Sequence, residues 1–276
     1  MNGDLVSLCV TSYNRPKLLK ECVESFFKTN LYDLNNLELI LVDNGSTNIE
    51  VTDYIKNLEP NCRNYTFILN EKNDYPVCLK YAKVQARNEA KGDYFIDCPD
   101  DHLFVVKTNW IEECVQHIDK TKNAGCLIYF SYPLYRFRKA NNAMAPHKLN
   151  KNIYESLHKG YADYHIMSKK VYEEIGDFKY ELEINFKTER DYMKRALDAG
   201  YHRNMLKYPV AIINDNCSAD PDWKEAGGFK LIEPFKIDEI TNAFKILNRP
   251  VCNEELILHG LNNKRIDKME NYQRSY

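Results

Sequence analysis

The order of apolar runs and amphipathic stretches predicts an α/β protein with a mostly parallel central sheet and flanking helices. Two observations carry this. Short apolar strands alternate with helical spacing through the first hundred residues, which is the pattern of βαβ units joined by right-handed crossovers. The strands end in polar clusters, at Thr11–Arg15, Asp43–Ser46, Asn70–Asp74 and Asp97–His102. In such sheets a ligand lies beyond the carboxyl ends of the strands, so separate segments of the chain point to one edge.

Taken in order, Leu5 to Thr11 reads as a buried strand and Ser12-Tyr-Asn-Arg-Pro16 as a turn into a helix. Pro16 suits a first helical turn, where its missing N–H costs nothing. The apolar pairs Leu18/Leu19, Cys22/Val23 and Phe26/Phe27 give that helix one buried face. Leu37–Val42 and Tyr65–Leu69 read as the second and third strands, Leu79–Ala90 as a helix, and Tyr94–Asp97 as the fourth strand. Trp110–Asp119 reads as a helix and Cys126–Tyr132 as a strand; residues 133–160 are basic and irregular, a loop. Thr188–Ala199 is a helix stopped by Gly200, Val210–Ile213 a strand, and a charged tail of short helices follows from about Ile232.

A chain of 276 residues, 44% hydrophobic and 28% charged, has enough apolar material for one large or two small domains. A net charge of -2 gives no global basic field to attract nucleic acid. No apolar run approaches the ~20 residues that span a bilayer, and the N-terminus lacks the basic and apolar regions of a signal peptide. Nine scattered cysteines, odd in number and without a Cys-x-x-Cys pair, suit a reduced cytoplasmic compartment. Peripheral association with a membrane stays open.

The densest chemical signal is Tyr94-Phe-Ile-Asp-Cys-Pro-Asp-Asp-His102. Adjacent carboxylates at a strand end repel each other unless a cation holds them, and hard divalent ions prefer carboxylate oxygens. Manganese or magnesium is favoured over zinc, since no cysteine stands at ligand spacing. An ion there could clamp a diphosphate and stabilise its departure. Pro-Asp-Asp is also ordinary turn chemistry; the strand before it and the other edge clusters favour the metal reading. A second acidic site opens the 188–199 helix. Thr188-x-x-Asp191 is close to a capping box, while Glu189 or Asp191 could accept a proton at the mouth of a cleft. Asn44-Gly45 is a turn signal that leaves Asp43 free at its strand end. Arg15 is read either as a solvated helix start or as a diphosphate contact. His165 and His202 are read as surface or core residues.

Assembled, these motifs resemble the family-2 glycosyltransferases with the Rossmann-like GT-A fold. The resemblance rests on Val10-Thr-Ser-Tyr-Asn-Arg-Pro16, Leu41-Val-Asp-Asn-Gly-Ser-Thr47, Lys91-Gly-Asp-Tyr-Phe-Ile96 and Asp100-Asp-His102, in that order. Two later stretches extend it, Met167-Ser-Lys-Lys-Val-Tyr-Glu-Glu-Ile-Gly-Asp-Phe178 and Thr188-Glu-Arg-Asp-Tyr-Met-Lys-Arg-Ala-Leu-Asp-Ala-Gly-Tyr201. It implies a GT-A domain over residues 1–230, with a nucleotide-binding half at about 1–105 and an acceptor-binding half at about 106–230, and a helical extension over 231–276.

The resemblance further implies hexosyl transfer with inversion from a nucleotide-diphosphate sugar, expected to be a UDP-sugar, with Mn2+ or Mg2+. Thr11, Tyr13 and Arg15 match the loop that touches base and diphosphate, Asp43 the acid that reads the base, and Asp97 falls to the ribose. Asp100, which also faces the donor, Asp101 and His102 match the metal signature; Asp215 stands where relatives often place a further ligand. The usual acid-x-acid form is shifted here by one residue, so which of Asp100, Asp101 and His102 ligates stays open. The family's Glu-Asp pair becomes Thr188-Glu189, leaving Glu189 favoured as base with Asp191 as the alternative. A nucleotidyltransferase would show a glycine-rich loop after the first strand, which Ser12–Pro16 lacks; an inactive nucleotide- or sugar-binding module of the same fold is the other alternative. The acceptor is not legible: glycan, protein, lipid head group, small molecule and modified nucleic acid all stay open.

Overall fold

The computed structural model describes residues 4–73, 80–104, 107–120, 124–129, 131–132, 153–155, 165–179, 185–206 and 210–213. The strands are β1 (Val6–Ser12), β2 (Leu37–Asp43), β3 (Asn64–Leu69), β4 (Tyr94–Pro99), β5 (His102–Phe104), β6 (Ala124–Tyr129), β7 (Ser131–Tyr132), β8 (Ile153–Glu155), β9 (His165–Ser168), β10 (His202–Leu206) and β11 (Ala211–Ile213). The α-helices are α1 (Pro16–Thr29), α2 (Ile49–Lys56), α3 (Lys80–Glu89), α4 (Trp110–Lys120), α5 (Lys169–Ile175) and α6 (Asn185–Asp198).

Eight strands form one sheet in the order β3-β2-β1-β4-β9-β6-β10-β8. The block β3-β2-β1-β4 is parallel throughout. From β1 the chain winds outward through β2 to β3, then returns to β4 on the other side of β1. That reversal opens a crevice beyond the carboxyl ends of β1 and β4. Beyond it β9 runs antiparallel to both β4 and β6, while β10 is parallel to β6. A smaller sheet, β5-β11-β7, continues from the end of β4, with His102 opposite Ile213.

Side chains along a strand alternate between faces, and β1 buries both. Val6, Leu8 and Val10 pack with Leu19, Val23 and Phe26 of α1 and with Trp110 and Ile111 of α4. Cys9 packs on the other face with Phe95, Met167, Ala82 and Ala86 of α3, and Tyr192 and Ala196 of α6. Burial on both faces is why these strands read as continuous apolar runs. In α1 the predicted inner face is borne out by Leu19, Cys22, Val23 and Phe26, all buried.

The elements differ from the sequence reading where patterns were short or split. Helix α2 was not anticipated; it has eight residues, two of them buried, Val51 and Ile55, and is started by the Asn48 side chain accepting from Glu50 N at 3.0 Å. The run 126–132 divides into β6 and β7, which join different sheets. Within the supposed irregular loop, Ile153–Glu155 pairs with β10 as an edge strand. Helix α6 starts at Asn185, three residues before Thr188, so Thr188 is not its cap; its hydroxyl donates to Lys179 O at 3.3 Å. The helical extension expected over 231–276 lies outside the described residues.

The opposite, amino-terminal edge of the sheet holds a polar knot. The Ser7 hydroxyl donates to the buried Glu38 carboxylate at 2.6 Å, Lys91 N donates to the same carboxylate at 2.9 Å, and Gly92 N donates to Ser7 Oγ at 3.0 Å. A Cβ on Gly92 would stand 2.6 Å from Ser7 Oγ. Lys91-Gly92 in the third motif is therefore a packing requirement, remote from the crevice.

Candidate active site

Three loops at the carboxyl edge are tied into one unit. Asn14 takes φ +54°, a backbone setting that Asn tolerates better than most residues. From there its Oδ1 accepts from Thr47 N at 2.8 Å and Asn48 N at 3.0 Å, while its own N–H donates to Ser46 Oγ at 2.8 Å. Asp43, buried at the end of β2, accepts from Ser46 N at 3.1 Å and from the Ser46 hydroxyl. Burial raises the Asp43 pKa and the Ser46 hydrogen bonds offset part of that rise.

Gly45, at φ +78°, brings the second loop against the third; a Cβ there would overlap the Lys72 carbonyl carbon and Asn73 N. The Asn44 amide donates to Asn73 Oδ1 at 3.3 Å. The third loop is fixed in turn by a reciprocal amide pair, Asn70 to Gln85 at 2.8 Å and Gln85 to Asn70 at 3.1 Å. Gly45→Ala is therefore expected to lower stability by about 1 kcal/mol or more, the cost of a left-handed backbone alone being about 1–2 kcal/mol. Chemical denaturation checks this, and an unchanged midpoint would show that the loops can separate freely.

The acidic cluster stands at the crevice itself. Thr11 pairs with Pro99 across β1 and β4, and Asp100 N donates to Thr11 O at 3.1 Å. The Asp100 side chain is fully buried. Its Oδ2 accepts from the Ser12 hydroxyl at 2.6 Å and its Oδ1 is ion-paired with Arg15 Nη2. Arg15 Nη1 also lies 3.9 Å from Asp101 Oδ2. His102 Nδ1 stands 2.9 Å from Asp101 Oδ1 and 3.2 Å from Pro99 O. His102 is buried and, in this pairing, supports Asp101. Thr11, buried beside them, has an Oγ1 without a hydrogen-bond partner among the described residues, as does the Asn44 Oδ1. Tyr13 is half-buried in the same loop.

Among the described residues, no three His, Cys, Asp or Glu side chains gather as a metal cage. The donor chemistry nevertheless fits a hard divalent ion. Mg2+ and similar ions are commonly held by one or two carboxylates together with substrate phosphates, and Asp100 and Asp101 supply the carboxylates. Asp215 lies outside the described residues.

Asp97 stands apart from this cluster. It is buried in β4, ion-paired with Arg87 of α3, and its Oδ2 is 3.3 Å from His165 Nε2 on β9. Burial alone would raise its pKa, but Arg87, then His165 and Lys83, hold it below the ordinary carboxylate range. The Arg87 guanidinium lies 4.4 Å from the Phe178 ring centroid, 5.1 Å from Tyr192 and 5.4 Å from Tyr172. A carboxylate so committed does not suit the ribose contact expected of Asp97. His165 is a core residue, and this partnership is its reason. The one local hint of the cluster was a charged residue, Asp97, inside an otherwise apolar strand; nothing local named its partners.

Of the two candidate bases, Asp191 is tied up in its own helix. Its Oδ2 accepts from Arg195 Nε at 2.9 Å and its Oδ1 is 3.6 Å from Lys179 Nζ. Arg195 also donates to Asp177 O at 2.6 Å and to Ile175 O, so Asp191 steers a strut that joins α6 to the end of α5. Glu189 lies in the same helix between two anchored positions, Thr188 and Tyr192, both fully buried.

A mostly parallel sheet with its acids at the β1/β4 crevice defines an α/β protein of GT-A type. Residues 7–176 match the model of glycosyl transferase family 2, and the chain belongs to that family. It is 34% identical over 138 residues to the glycosyltransferase GlyG of Streptococcus pneumoniae serotype 4, an alignment that covers 47% of this chain and 40% of GlyG. Solved structures share the fold. S. aureus TarS superposes with a TM-score of 0.57 at 14% identity, covering 78% of this chain and 37% of TarS. The mannosyltransferase PcManGT of Pyrobaculum calidifontis, in complex with GDP-Man and Mn2+, gives 0.56 at 16% identity, covering 93% of this chain and 68% of its own. The chain thus spans less than half the length of GlyG and of TarS.

Proposed function

We propose that this chain is an inverting glycosyltransferase that moves a sugar from a nucleotide-diphosphate donor, a UDP-sugar in the first instance, to an acceptor hydroxyl. The observation that carries this reading is the joined set of three loops beside Asp100 and Asp101 at the crevice. Buried polar atoms normally have partners; the buried Thr11 Oγ1 and Asn44 Oδ1 have none among the described residues, which leaves the loops next to a pre-set Asp43 with polar capacity that the fold itself does not use. Fold neighbours were solved with different nucleotides, TarS 1–349 with UDP and PcManGT with GDP-Man, so the uridine reading rests on the Asp43 loop and not on the neighbours.

Asp100 and Asp101 would hold Mn2+ or Mg2+, which when bound stabilises charge on a departing diphosphate. The chain's own residues do the rest. Arg15 offers a planar pair of donors to phosphate oxygens. Glu189 takes the proton of the acceptor hydroxyl as its oxygen attacks the anomeric carbon from the face opposite the diphosphate. The products are the inverted glycoside and a nucleoside diphosphate. Among the described residues no helix is long and apolar enough to cross a membrane.

A panel of UDP-, GDP-, dTDP- and CMP-sugars, read by release of the free nucleotide, tests the reading. Release of nucleoside diphosphate from a UDP-sugar is expected; release from none of the panel defeats the proposal. Asp43→Ala is expected to weaken UDP binding by about 1–3 kcal/mol, the range for a lost hydrogen bond to a charged or buried group. Calorimetry that finds unchanged affinity in a folded variant removes Asp43 from the site.

A further inference from the structure

We infer that Arg15 is a resident counter-cation that occupies the carboxylates of Asp100 and Asp101 and gives them up to a divalent ion when a diphosphate draws its guanidinium away. The inference rests on the donor and metal reading above and adds a coupling between the two ligands. Both oxygens of Asp100 are committed, Oδ1 to Arg15 and Oδ2 to the Ser12 hydroxyl at 2.6 Å. The same guanidinium reaches toward Asp101 Oδ2 at 3.9 Å. Asp100 is fully buried and the Arg15 side chain is 14% exposed, so the pair is shielded from the solvent that weakens surface ion pairs. A divalent ion needs lone pairs on these oxygens and cannot share them with a guanidinium only a few ångströms off, since like charges at that range repel strongly.

Arg15 is also built to move by its side chain alone. Its backbone is fixed where α1 begins: Pro16 follows, and the Arg15 carbonyl accepts from Leu19 N at 3.0 Å. The long side chain above that anchor can swing between carboxylates and phosphate, to both of which its fork is matched. A diphosphate in the crevice therefore offers the guanidinium a second anion and frees the first for the metal. Linkage makes the effect reciprocal, so each ligand raises the affinity for the other.

The test uses the full chain and reads Mn2+ binding by the electron paramagnetic resonance of free Mn2+, with and without UDP, in wild type, Arg15→Gln and Arg15→Lys. In wild type, Mn2+ alone is expected to bind weakly and UDP to raise its affinity at least tenfold. In Arg15→Gln, Mn2+ alone is expected to bind at least tenfold tighter than in wild type, whereas Arg15→Lys, which keeps the charge, stays near wild type. Removing the guanidinium leaves a buried carboxylate, so melting temperature gives a second readout: Mn2+ alone should restore more stability to Arg15→Gln than it adds to wild type. If wild type binds Mn2+ with UDP but Arg15→Gln binds it alone no tighter than wild type, and its melting point gains nothing extra, the counter-cation role is overturned while the metal reading stands. If no form binds Mn2+ even with UDP, the metal reading itself falls and this inference falls with it.

Discussion

Glu189→Gln is expected to lower turnover by about 10²–10⁴ while leaving donor affinity and melting temperature close to wild type. The variant keeps the shape of the side chain and removes the group that would accept the acceptor's proton. Asp191→Asn is the informative comparison. Asp191 holds Arg195 at 2.9 Å, and Arg195 spans to the carbonyls of Ile175 and Asp177. Weakening that strut should lower the melting temperature, with a smaller effect on turnover at temperatures where the variant is folded. Helix α6 begins at Asn185, so neither acid is needed as its cap, and a capping loss cannot account for a stability change in Glu189→Gln. Steady-state kinetics and thermal melts on both variants decide the matter. Near-wild-type turnover in both would remove the base from this helix; loss confined to Asp191→Asn would move the role to Asp191.

The largest stability effect is expected at Arg87→Met, about 3–5 kcal/mol at neutral pH, the cost of leaving one member of a buried ion pair uncompensated. Arg87 and Asp97 are both essentially inaccessible, and the guanidinium is enclosed by Phe178, Tyr192 and Tyr172. The pH dependence follows from the direction of the Asp97 shift. A carboxylate held below its ordinary value in the folded protein contributes stability above its unfolded pKa, about 3.9. It loses that contribution as pH falls through the folded pKa. In Arg87→Met the counter-charge is gone and burial favours the neutral acid. The deficit relative to wild type should therefore be full near pH 7 and shrink toward about pH 4. Urea denaturation at the two values reads this directly. A deficit of equal size at both would mean that lost packing against the three rings, and not the stranded charge, sets the cost.

The sequence by itself determined the parallel four-strand block β3-β2-β1-β4. Strands β1, β2 and β4 were legible because each is a short apolar run, and burial on both sheet faces requires such runs; β3, the partly exposed edge strand, was legible from its aromatic and β-branched residues. The edge loops were legible because residues fit for turns and for ligands cluster where runs end, and the order of the motifs pointed to the family. What the sequence did not determine was which side chain meets which. Asp97 read as a free acid near the site because Arg87 and His165 reach it from a helix and from an antiparallel strand far along the chain. Pairing of that kind depends on register, and register is fixed only when the sheet assembles. Asn14 looked like one turn residue among several until its positive φ and its bonds to the Asp43 loop gave it a role. Helix α6 started earlier than its apparent cap because tertiary packing of Thr188 overrode a local signal. The placement of Arg15 on Asp100 was likewise decided by the tertiary structure: local spacing sets periodicity over a few residues, whereas a buried charge takes whatever opposite charge the fold brings within reach.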